Sequence, residues 1–133
     1  MPRLLIQANS SYHTFAPKDI RDKLIFVSIT IEELTDLIMK QAKEKGFGTK
    51  PDEINVAEKI ALIHSEISEA FEAYRHKDMD GEHGFKKELG DALSRILHLA
   101  GIMDIDIEGA ILKKLEGNKD RKWDWKKMNE EHS

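Results

Sequence analysis

From Ile31 to Leu115 the apolar positions recur every three or four residues in long runs, separated by short polar stretches. This period places apolar side chains on one side of a helix and does not match the alternation of a strand. Ile31, Leu34, Leu37, Ile38 and Ala42 keep it through a first helix, opened by Thr30 and Glu33 in the form of a capping box and ended by Gly46 and Gly48. GFGTKPDEIN, at 46–55, carries turn residues throughout and reads as a loop whose Phe47 is either a staple into the core or a wall for a ligand. A second helix is expected from Asn55 or Val56 to about His76, and a third over 84–103 beyond the polar turn KDMDGEHG. Asp104 or Asp106 caps a fourth, with Ile107, Ala110, Ile111 and Leu115 on one side and an end near Gly117. Long amphipathic helices joined by short turns predict an all-α fold, an antiparallel bundle of four main helices. The third helix is apolar around more than half its circumference, which implies a central position or a subunit interface.

Acidic residues interrupt the apolar faces at two matching places. In the second helix Ile63, Ile67, Ala70, Phe71 and Tyr74 define the expected core face, with Leu62 and Ala73 extending it; Glu66 falls inside that extension and Glu69 at its edge. In the third, Phe85, Leu89, Ala92, Ile96, Leu99, Ala100 and Met103 define the core face, and Glu88, Asp91 and Arg95 form a strip beside it. Carboxylates gathered at low dielectric are costly unless a cation neutralises them. Oxygen donors in this number suit Mg²⁺ or Mn²⁺ better than zinc. Each pair alone reads as a solvated face with i,i+4 partners, such as Asp91 with Arg95; it is the repetition that points to a metal site.

Composition narrows the partners. A chain of 133 residues, 40% hydrophobic and 35% charged, fits one globular domain. Its formal charge of −4 argues against a general nucleic-acid binder. The absence of cysteine removes disulfides, thiolate metal sites and a cysteine nucleophile. Apolar runs at 4–6 and 24–29 are too short for a membrane span or a signal segment, and the expected location is cytoplasmic. Residues 1–29, with Asn9, Ser10, Ser11 and Pro17 as breakers, read as an irregular arm in which LIFVSI is a short strand or packs on a neighbour. Residues 30–122 form the domain and 123–133 a tail.

Around the end of the fourth helix Lys113, Lys114, Asn118, Lys119, Arg121 and Lys122 cluster. Basic residues there compensate the helix dipole, and they also supply donors for polyphosphate oxygens that a metal does not reach. Trp123 and Trp125 either anchor the tail or stack on a base. The six histidines form no recognisable site. No H-E-x-x-H, P-loop, G-x-S-x-G or dinucleotide fingerprint is present, and the missing E-x-x-H pair argues against a di-iron bundle.

The order E-x-x-E, a spacer, E-x-x-D and then K-x-x-x-N-x-x-R, set in EKIALIHSEISEAFEAYR and KELGDALSRIL, resembles the all-α nucleoside triphosphate pyrophosphohydrolases of the MazG type over about 31–122. The resemblance implies a homodimer or a dimer of dimers with sites between subunits, and a Mg²⁺-dependent reaction that releases pyrophosphate and a nucleoside monophosphate. It also implies that Glu66, Glu69, Glu88 and Asp91 hold the metal, and that Lys114, Asn118 and Arg121 contact phosphate or sugar. Bound ions of this kind neutralise the phosphate chain and acidify a water, with a glutamate as base. Some relatives carry an aromatic residue where this chain has Arg95, which either pairs with Asp91 or touches substrate. Removal of non-canonical or surplus nucleotides is the biology the resemblance implies. The alternative is a non-enzymatic helical module that senses nucleotides or binds a partner on the same fold.

Overall fold

The computed structural model describes residues 28–122. In order, these are α1 (Ile31–Lys45), a 3-10 turn (Pro51–Glu53), α2 (Val56–Arg75), α3 (Phe85–Ile102) and α4 (Ile107–Asn118). The described residues are all-helical, with no strand among them. The expectations for residues 1–27, Trp123 and Trp125 lie outside the described residues.

Side-chain caps fix where three helices begin. Thr30 Oγ1 accepts from the Glu33 amide at 3.1 Å, Asn55 Oδ1 from that of Glu58 at 3.1 Å, and Asp106 Oδ1 from that of Gly109 at 2.9 Å. Each satisfies an amide that has no partner within its helix, worth about 1 kcal/mol. α1 stops at Gly46, whose φ of 76° is left-handed and sends the following chain away. α3 starts differently, at Gly84, which has no capping side chain. A Cβ at Gly84 would come within 2.7 Å of the Gly81 nitrogen and 3.0 Å of its carbonyl oxygen, so the turn closes more tightly than any side chain allows.

α3 is the central helix. It forms an antiparallel hairpin with α2, since Tyr74 meets Phe85 near the turn while Glu66 meets Arg95 further along. Alanines at the contact, Ala70 and Ala73 on α2 and Ala92 on α3, are buried and let the two backbones approach. α1 packs on another side of α3, with Gly101 close to Met39, and α4 rests lightly on α1. Leu97 and Ala100 are also buried.

This packing corrects the expected core faces. Ile67, Phe71 and Tyr74 on α2, and Leu89, Ile96 and Met103 on α3, are exposed in the single chain; Phe71 reaches 61%. What α2 buries is the narrower strip of Glu66, Ala70 and Ala73. Helical phase identifies residues that share a face, but the small side chains decide which face can be approached closely.

Candidate metal centre

The strip that brings α2 against α3 carries charge at its middle. Glu66, Ala70 and Ala73 recur on one side of α2, as Glu88, Ala92 and Arg95 do on α3. Pressing the alanines together therefore brings the glutamates together, and Gly84 positions Glu88 by accepting its amide hydrogen bond at 3.0 Å one turn into α3. Glu66, Glu69 and Glu88 each place a carboxylate oxygen within 4.8 Å of the others. Glu66 is 8% exposed and Glu88 3%, whereas Glu69 is open to solvent.

Arg95 donates from Nε to Glu66 Oε1 at 2.7 Å. This corrects the expected pairing with Asp91: the guanidinium turns inward across the helix interface rather than along its own helix. Burial would raise the Glu66 carboxyl, but the hydrogen bond from Arg95, hydrogen bonding with Glu88 and Glu69 and the charge of Arg95 together outweigh it and hold the group below the usual carboxylate value. At Glu88 burial acts first, and the neighbouring Glu66 and Glu69 add to it, pushing that carboxyl above the usual value. Among the described residues, the Arg95 guanidinium thus faces several acids. The donor set is all oxygen, partly buried and short of positive charge, which fits a hard divalent ion.

Two clefts flank the cluster. One, a cavity of about 450 Å³, is lined by Glu66, Asp91, Lys59, Ser94, Arg95 and His98 together with Phe47 and residues of α1. His98 donates to the Gly48 carbonyl oxygen at 2.7 Å and ties the loop after α1 to this wall. Phe47 is exposed beside the cleft instead of stapled into the core. The other cleft, of about 460 Å³, is lined by Glu69, Glu72, His76, Asp78, His83 and Glu88. Here His83 Nδ1 lies 3.4 Å from Glu88 Oε1, a contact that helical periodicity does not reveal because His83 belongs to the turn.

Asp91 is exposed and lines the first cleft, outside the group of three converging carboxylates. Lys114 and Asn118 lie on α4 and Arg121 just beyond it; none of them lines either cleft.

An all-α hairpin carrying converging carboxylates defines a class of candidate metal-dependent proteins, and comparison narrows it. The model of the MazG nucleotide pyrophosphohydrolase domain matches residues 55–123. The chain belongs to this family. The match begins at the N-cap of α2 and takes in every candidate carboxylate, leaving α1 outside. No curated protein and no solved structure gives a significant match. No helix among the described residues is long and apolar enough to cross a membrane.

Proposed function

We propose that this protein is a divalent-metal-dependent nucleoside triphosphate pyrophosphohydrolase that converts an NTP or dNTP to the monophosphate and pyrophosphate. The observation that carries the proposal is the convergence of Glu66, Glu69 and Glu88 within a matched pyrophosphohydrolase domain. These three, with Asp91 at the cleft wall, would hold Mg²⁺, or Mn²⁺ in its place. A bound ion supplies neutralisation of phosphate charge and polarisation of a phosphoryl oxygen.

The residues of the chain account for the remaining requirements. Lys59 and Arg95 line the cleft beside the cluster and offer donors to phosphate oxygens. A glutamate of the cluster takes the proton of the attacking water as its oxygen bonds to phosphorus, the phosphoanhydride bond breaks and pyrophosphate departs with the electron pair. Lys114, Asn118 and Arg121 act on phosphate or sugar at a site completed between subunits of a homodimer or dimer of dimers. Residues 30–122 form the working domain, with 1–29 and 123–133 as arm and tail, and the expected setting is nucleotide-pool house-cleaning in the cytoplasm.

The test is a panel of ordinary and damaged NTPs and dNTPs with Mg²⁺ and Mn²⁺, scoring pyrophosphate separately from orthophosphate. Equal amounts of pyrophosphate and monophosphate support the reaction. Orthophosphate alone overturns it, and no product from a folded, metal-binding sample favours the nucleotide-sensing module.

A further inference from the structure

We propose that Arg95 is a built-in counter-cation that competes with the divalent ion for Glu66, so that loading the site releases the guanidinium into the adjoining cleft. This rests on the reading of Glu66, Glu69 and Glu88 as metal ligands. Three carboxylates converge within 4.8 Å, yet the cation found among them comes from the protein itself: Arg95 Nε reaches Glu66 Oε1 at 2.7 Å. The Glu66 side chain is only 11% exposed, and Glu66 belongs both to the cluster and to the lining of the cleft. A cation drawn to the Glu66 carboxylate meets a bound guanidinium and competes with its charge-assisted hydrogen bond.

The Arg95 side chain is 40% exposed and lines the cleft with Lys59, so it can leave Glu66 without unpacking the α2–α3 interface. Released, it presents a planar fork of donors to an anion in the same cleft. Charge is then exchanged in two steps: the ion replaces Arg95 at the carboxylate, and Arg95 becomes available to phosphate. Binding of the ion would thereby favour binding of a polyphosphate, and by linkage the reverse.

The test measures Mn²⁺ affinity without nucleotide, by titration calorimetry and free-Mn²⁺ electron paramagnetic resonance, for the wild type, Arg95→Met and Arg95→Lys. Met keeps much of the aliphatic packing and removes the competitor; binding should tighten about tenfold, the equivalent of one charge-assisted hydrogen bond. Lys retains the charge and should stay nearer the wild type. A second measurement needs no variant: the Arg95 Nε–H resonance, protected by its hydrogen bond, should shift and exchange faster on saturation with Mg²⁺. Unchanged or weaker Mn²⁺ binding in a folded Arg95→Met, or an unchanged Nε–H resonance at saturation, overturns the competition while leaving the metal site standing. Absence of Mn²⁺ binding in the folded wild type overturns the metal reading itself.

Discussion

The rings of Tyr74 and Phe85 lie 5.5 Å apart, tilted at 53°, across the start of the α2–α3 hairpin. They continue an apolar groove formed with Ile67, Ala70, Phe71 and Leu89. Large apolar side chains left in contact with water favour association. The protein is therefore expected to sediment as a dimer or larger species, and Phe71→Glu should shift it toward monomer with its helical circular dichroism retained. A monomeric wild type at micromolar concentration would remove the oligomer from the proposal.

Glu69 converges with the other glutamates, while Asp91 stands at the cleft wall. Glu69→Gln and Asp91→Asn should each lower pyrophosphate release by about a hundredfold or more, without loss of helicity. Calorimetric titration with Mn²⁺ should separate them, because Glu69→Gln removes a member of the converging set and should lose more affinity. Wild-type turnover in both variants would sink the assignment.

Glu88 gives a pH signature in the metal-free protein. Its carboxyl is raised in the folded state, so between the unfolded and folded pKa the native chain holds more protons and its stability falls as pH rises. Glu66 is lowered and contributes the opposite slope: its stabilisation is present above the unfolded value and is lost as pH falls through the folded one. Glu88→Gln mimics the protonated form. With chelator present at neutral pH it should melt about 3–5 °C higher, the effect of roughly 1 kcal/mol in a domain of this size. The gain should disappear below the usual carboxylate range; an equal gain at both pH values would point to packing instead of charge.

Gly84 and Gly90 form a matched pair for thermal melting. At Gly84 an added Cβ meets the backbone of Gly81, whereas at Gly90 it meets nothing within 4 Å. Gly84→Ala should cost about 1–3 kcal/mol through forced backbone movement and weaken Mn²⁺ binding by displacing Glu88. Gly90→Ala should gain up to about 1 kcal/mol from helix propensity. Equal melting temperatures would show that the turn accommodates the methyl group.

The helices and their limits follow from local chemistry, which is why Thr30, Asn55 and Asp106 mark starts that the structure reproduces with a hydrogen bond at each. Repetition of acidic pairs likewise makes Glu66 and Glu88 readable as neighbours. The contact between Glu66 and Arg95 is different, because it joins residues 29 positions apart and depends on how two helices are rotated against each other. Periodicity contains no such rotation. For the same reason it assigns Ile67, Phe71 and Tyr74 to a covered face that one chain leaves open, and it misses the approach of His83 to Glu88 from a turn. The relation of Lys114, Asn118 and Arg121 to the carboxylates lies beyond any local pattern, since it depends on where α4 stands.

α3 answers to different neighbours on its different sides: Glu88, Ala92 and Arg95 belong to the contact with α2, while Gly101 and the His98 tether belong to α1 and its loop. The cleft consequently has one wall of charge and another built from Ile38, Gln41 and Phe47. Substitutions in this second wall can reshape what the cleft admits without touching the carboxylates. The two walls are therefore separable targets for mutation, and a library confined to Ile38, Gln41 and Phe47 can explore new ligands against an unchanged carboxylate cluster.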